Sequence, residues 1–267
     1  MVVLAIAFAV TATLYAMVGF GGGSTYNALL VLGDTPYGLV PAIALICNIL
    51  VVTGGTFRFA RAGHLQWRRV MPFLLASVPA AFFGGRIAVS EIFFIALLGA
   101  ALLFAGIQLL RTERKGEGEL AQGASDRSLQ PSGGQFFLSG FAGAMIGLLS
   151  GIVGIGGGIF LAPVLYALRI NETQWGGPKQ IAAASSLFIL ANSLAGLIGQ
   201  ILKLSSSQEG VSALAPFWPL FVAVLIGGQA GSLLGSTRLR PSIIRRMTAV
   251  LILYVAIRLL WRLAEML

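Results

Sequence analysis

Apolar residues in this chain run in long continuous stretches, without the alternation of a half-buried strand. Eight such stretches stand out, approximately at 2–32, 37–57, 70–88, 92–110, 136–168, 180–202, 213–235 and 243–263. A helix crosses about 30 Å of hydrocarbon with about 20 apolar residues, and several stretches reach that length. Continuous runs predict helices, because a membrane barrel would alternate. The stretches at 2–32 and 136–168 are too long for one straight span, and glycines interrupt both. The expected fold is an all-α polytopic membrane protein.

The pattern changes only between Arg111 and Gly134, which is Gly/Ser-rich and mixed in charge, the composition of a flexible linker. It divides the chain into a first transmembrane repeat at 1–110, a linker at 111–134 and a second transmembrane repeat at 135–267. The halves resemble each other. Val18-Gly19-Phe20-Gly21-Gly22-Gly23 matches Val153-Gly154-Ile155-Gly156-Gly157-Gly158. Asn48 follows Gly23 by 25 residues, and Asn192 follows Gly158 by 34. Ala76, Ala80 and Gly84 match Gly227, Gly231 and Gly235, and small residues every four positions let membrane helices approach closely.

Loop charges orient the repeats. If every stretch crosses once, the Lys and Arg divide 11 to 7 between the two sides. If each glycine-broken stretch folds back as a hairpin or crosses twice, the division becomes 14 to 4. The side with four then holds Arg86, Lys203, Arg258 and Arg262. The positive-inside rule favours the second arrangement. It makes the fold two inverted repeats, each with a Gly-broken first helix followed by three transmembrane helices. The 58–69 loop and the 111–134 linker are then cytoplasmic, both termini lie outside, and the location is the cell (inner) membrane. Inverted repeats with broken helices are a recurring transporter plan, with substrate bound near the midplane.

Composition agrees. Apolar residues make up 57% and charged residues 10%, with a mean hydropathy of +0.90, against about 25% charged in soluble domains. The net charge of +9 does not imply a nucleic-acid partner. The basic residues sit in short loops beside apolar stretches, with no aromatic interleaving. One cysteine, Cys47, and one histidine leave no disulfide framework and no Cys/His metal cluster. No metal or other cofactor is expected. The N-terminus lacks the basic region of a signal peptide, and its apolar run continues onward.

The glycine runs are the sharpest chemical feature. Irregular backbone in hydrocarbon survives only where protein, water or ligand supplies partners. A short helix is expected to begin near Ser24 and another near Ile159. Two such N-termini together present about one positive charge, enough to attract a compact oxyanion. Ser24 or Thr25 is expected to cap the first short helix. One glycine loop alone would more simply be a packing device, whereas two matched loops favour binding. Asn48 and Asn192 lie inside apolar runs, where they either bond another helix or donate to an anion. Ser185, Ser186, Ser193 and Thr53 are weaker candidates, since membrane Ser and Thr often bond their own helix. No Asp or Glu lies mid-span, which argues against a buried carboxylate relay. Asp34 and Glu91 lie at loop edges, and Trp67, Trp218 and Trp261 lie near segment ends, where interfacial anchors belong. Neither a nucleophile–base pair nor a nucleotide loop is present, so an enzyme is not expected.

Gly154-Ile155-Gly156-Gly157-Gly158-Ile159-Phe160-Leu161-Ala162-Pro163 resembles the repeated signature of the TauE/SafE family of sulfite and sulfonate exporters. The run Ala182-Ala183-Ala184-Ser185-Ser186-Leu187 through Asn192-Ser193-Leu194-Ala195-Gly196 does so too. In the first half Gly19 to Gly23, Asn48, Gly54-Gly55 and Arg61 to Trp67 look like their counterparts. The first copy departs at Ser24-Thr25-Tyr26-Asn27-Ala28, where apolar residues and then Pro are expected. The resemblance implies secondary transport of sulfite, thiosulfate or an organosulfonate.

The combined expectation is export of a small anion by alternating access. The binding set is Gly21, Gly22, Gly23, Ser24, Thr25, Asn48, Gly156, Gly157, Gly158, Ser185, Ser186 and Asn192. A passive anion channel, or a carrier of another small carboxylate or oxyanion, is the alternative. The partners are the anion and the lipid bilayer; monomer and homodimer both stay open.

Overall fold

The apolar stretches fold as helices, the one structure besides a closed barrel that satisfies its own backbone in hydrocarbon. The computed structural model describes residues 1–18, 20–113, 133–158, 160–161, 178–206, 210–234 and 241–266. Among the described residues there are nine α-helices and no strand. They are α1 (Val2–Val18), α2 (Gly23–Leu32), α3 (Val40–Arg61), α4 (Trp67–Arg86), α5 (Glu91–Glu113), α6 (Gly133–Val153), α7 (Pro178–Ser205), α8 (Trp218–Leu234) and α9 (Pro241–Met266). The expected breaks are present, after α1 and after α6. Most of the 111–134 linker lies outside the described residues.

By length and composition, α3, residues Gln180–Ser205 of α7, and Val211–Leu234 are long and apolar enough to cross a bilayer. The last of these opens with a 3-10 turn, Val211–Phe217, holding Pro216. Shorter apolar helices cover Val2–Met17, Glu91–Ile107 and Leu138–Val153. Large hydrophobic side chains such as Ile6, Val10, Phe83, Ile226 and Leu233 lie exposed on the outer faces. Such a surface suits lipid and is costly in water. Trp67, Trp218 and Trp261 are exposed near helix ends.

The two halves interlock. The first helix of each half packs on the third long helix of the other: α1 on α8, and α6 on α4. Small residues make this possible. A side chain on Gly143, Gly147 or Gly151 of α6 would strike the carbonyl of Phe73, Ser77 or Ala81 on α4. A side chain on Gly227 or Gly231 of α8 would likewise strike the Ala9 or Thr13 carbonyl on α1. Gly84 meets the Leu148 carbonyl, and Leu148 stands to the second glycine run as Thr13 stands to the first. Gly84 is therefore the counterpart of Gly231, one turn earlier than the match with Gly235. Backbone contact, not spacing alone, fixes that register.

Three further large interfaces complete the bundle: α4 also packs on α7, α3 packs on α7, and α5 packs on α9. Gly99 of α5 faces Leu260 of α9, and Gly106 faces Leu253, so these two helices run antiparallel. At the far end of α9, the Arg262 guanidinium donates to the Val31 carbonyl (3.0 Å) and to Asp34 (3.2 Å). It ties the C-terminal turn of α2 to the last helix. Asp34, placed by the sequence at a loop edge, is the acidic partner here. Its backbone has φ +53, a left-handed conformation that Asp tolerates better than most residues.

Candidate functional site

Each glycine run contains a left-handed glycine that opens a helical turn. After α1, Gly22 takes φ +83 and its carbonyl accepts from the Thr25 and Tyr26 amides, both at 3.0 Å. After α6, Gly154, Gly156 and Gly157 take φ +80, +80 and +78. The Gly157 carbonyl accepts from the Phe160 and Leu161 amides at 3.1 and 3.2 Å. Gly22 and Gly157 thus open equivalent helical turns, and the left-handed φ would cost any other L-residue about 1–2 kcal/mol. The cap of α2 is Gly22, with no side-chain cap. Ser24 and Thr25 do not cap, contrary to expectation, because glycine starts the helix two residues earlier and carries them past the cap. Thr25 Oγ1 instead lies 2.8 Å from the Tyr15 hydroxyl. The second helical turn is described from Gly158; Ile159 lies outside the described residues.

The two runs, far apart in sequence, meet in the interior. Gly21–Gly23 and Gly154–Gly158 are all buried. A Cβ placed on Gly23 would stand 2.7 Å from the Ile155 carbonyl. Two first-half asparagines stitch the loops together. Asn48 Nδ2 donates to the Ile155 carbonyl at 3.1 Å, and Asn27 Nδ2 donates to the Val153 carbonyl at 2.6 Å. Asn48 sits directly against Gly21, Gly23 and Gly156, where a side chain on any of the three would displace it.

Asn192 does not mirror Asn48. Its Nδ2 donates to the Phe188 carbonyl, one turn back on its own helix, at 2.9 Å. The mirror place belongs to Ile189, which packs on Gly156, Gly158 and Gly21. Ser193 Oγ is also there, 2.9 Å from a Cβ built on Gly156. Ser186 donates to the Ala183 carbonyl at 3.0 Å, and Ser185 is buried without a partner. So Gly21, Gly22, Gly23, Ser24, Thr25, Asn48, Gly156, Gly157 and Gly158 come together at or beside the loops. Ser185, Ser186 and Asn192 stay on α7, off the closest contacts of the loop glycines. Ser193, a weaker candidate from the sequence, belongs beside the loops, and Asn27 and Ile189 are the residues outside the expected set. Asn27 lies one turn beyond Gly23 and so shares its face, a signal that spacing could have supplied. Ile189 carries no such signal.

Several polar atoms at the junction lack partners within the protein. Ser24 Oγ, Tyr26 OH, Asn27 Oδ1, Asn48 Oδ1 and Ser193 Oγ are all buried and unbonded. Each unsatisfied buried group costs about 1–3 kcal/mol, and a native fold keeps few of them without reason. Together they supply three hydroxyl donors and two amide acceptors around two helix starts. Among the described residues no group of His, Cys, Asp and Glu could hold a metal ion.

The family profile described as sulfite exporter TauE/SafE matches residues 3–259. A probable membrane transporter protein of Sinorhizobium fredii is 36% identical over 97% of both chains. Another, from Xylella fastidiosa, is 27% identical over 91% of this chain and 88% of its own length. No solved structure gives a significant match.

Proposed function

This chain belongs to the TauE/SafE sulfite exporter family of membrane transporters, which are not enzymes, and on that footing we propose that it exports a small sulfur-containing anion (sulfite, thiosulfate or an organosulfonate) by alternating access. The observation that carries the reading is Asn48, wedged against both glycine loops with its Oδ1 unbonded. The anion sits where the loops meet and parts them slightly. Loop N–H groups and the α2 N-terminus then offset its charge without a buried cation. Ser24, Tyr26 and Ser193 hydroxyls donate to its oxygens. When the substrate is hydrogensulfite, the amide oxygens of Asn27 and Asn48 accept the proton that it carries. That role suits a site with no carboxylate beside it.

The antiparallel run of α5 against α9 supports inverted halves, because equivalent helices of inverted repeats point opposite ways. Rocking one half against the other would open the loop junction to either side in turn. The 14-to-4 division of basic residues supports a cytoplasmic 58–69 loop and linker.

Reconstitution in liposomes tests the proposal. The wild-type protein should release trapped sulfite or a short alkanesulfonate and show trans-stimulation. Gly22→Leu and Gly157→Leu should insert, fold and carry nothing, since each φ is left-handed. A Cβ on Gly22 would also meet the Tyr26 ring at 3.0 Å, and one on Gly157 would meet Ile146 at 2.9 Å. Normal flux in both variants would make the loops packing devices and end this reading. Unitary currents without trans-stimulation would make the protein a channel.

A further inference from the structure

We propose that Ile189 sets the substrate selectivity of this site: by placing hydrocarbon where the first half places Asn48, it favours an oxyanion bearing a short alkyl group over a bare inorganic one. The inference rests on the anion-binding reading of the loop junction and adds a specificity residue to it.

The two sides of the junction differ in chemistry although Gly22 and Gly157 open equivalent helical turns. The nearest neighbours of Gly21, Gly22 and Gly23 include the Asn48 amide and the Tyr26 phenol. Those of Gly157 and Gly158 are Ile146, Phe188, Ile189 and Phe20, all hydrocarbon. Gly156, at the boundary, touches Asn48, Ser193 and Ile189. Asn48 and Ile189 are both buried, at 0% and 2% exposure, so neither reaches lipid or water. A ligand between the loops meets unbonded polar atoms of Asn48, Tyr26 and Ser193 over part of its surface, and the branched or aromatic carbon of Ile189, Phe188 and Ile146 over the rest. A bare oxyanion would turn oxygens toward Ile189 and lose hydration there without replacement. An alkyl group would fill that side and be removed from water.

The test separates polarity from volume with Ile189→Val and Ile189→Thr, which share one shape. Release of ethanesulfonate and of sulfite is measured from liposomes, with ligand-induced thermal stabilisation in detergent as a readout independent of transport. The ethanesulfonate-to-sulfite ratio should fall about tenfold in Ile189→Thr relative to Ile189→Val. Ile189→Val alone, which removes one methylene, should shift preference toward propanesulfonate. Equal ratios in the two variants, with no change in preferred chain length, would overturn the role of Ile189 while leaving transport intact. A wild-type protein that neither binds nor moves any of these anions would overturn the transport reading itself, and this inference with it.

Discussion

Asn27 and Val153 are joined by a 2.6 Å hydrogen bond that ties the first short helix to the turn after α6. Both partners are buried, so the bond substitutes for water that cannot reach the Val153 carbonyl. Asn27→Ala should leave that carbonyl unpaired and destabilise the protein by about 1–3 kcal/mol. A lowered melting temperature in detergent would show it. An unchanged melt would mean that the two loops hold together without the amide.

Asn48→Leu removes the donor to Ile155 and the unbonded oxygen together. We expect liposome flux to fall by at least about tenfold, corresponding to loss of one or more hydrogen bonds to a charged ligand. Size-exclusion chromatography should still show a folded protein. Asn192→Leu, whose amide bonds only its own helix, should reduce flux far less. Equal losses would restore the sequence-based pairing of the two asparagines.

Helix packing gives a sharper contrast on one element. Gly147 of α6 lies on the Ser77 backbone of α4, whereas a Cβ on Gly140 of the same helix would meet nothing within 4 Å. Gly147→Leu must push two helices apart and should cost at least about 2 kcal/mol. Gly140→Leu should stay within about 0.5 kcal/mol of wild type. Thermal denaturation of the pair checks the interface directly.

The tie between Arg262 and Asp34 should matter little. Their side chains are 36% and 82% exposed, and exposed pairs contribute about 1 kcal/mol at most. Arg262→Ala should lower the melting temperature only slightly, mostly through the lost Val31 contact, and Asp34→Asn less still. A large loss in Asp34→Asn would show that the pair is shielded in the membrane.

Sidedness is open to cysteine labelling, because Cys47 is the only cysteine and is buried. With Cys47→Ala as background, His64→Cys should react with an impermeant maleimide only after the membrane is opened. Ser90→Cys and Ser206→Cys should react in intact cells. The reverse pattern would invert the orientation drawn from the basic residues.

The helices and their breaks were legible because hydrocarbon demands long apolar runs and glycine alone takes the turns at Gly22 and Gly157. The 3-10 turn at Val211–Phe217 was not, since its residues are as apolar as the helix that follows. The glycine loops could be chosen as a site from their repetition. The partner of Asn48 could not, because residue type suggested Asn192, while depth along α7 brings Ile189 to the matching place. Side-chain contacts between distant segments depend on helix register. One turn of slippage, as between Gly231 and Gly235, is invisible to spacing.

The crossed packing of α1 on α8 and of α6 on α4 carries a lesson for biogenesis. When the leading half leaves the translocon, α1 has only small contacts with α2 and α3, and its main neighbour α8 is missing until almost the last span is made. The carbonyl row of α4 likewise waits for the chain beyond the linker. Neither half is then a self-sufficient unit in the bilayer, and quality-control proteases would meet an orphan half as an unfinished product. Two fragments severed at the linker and synthesised together should rescue one another, whereas either made alone should be degraded.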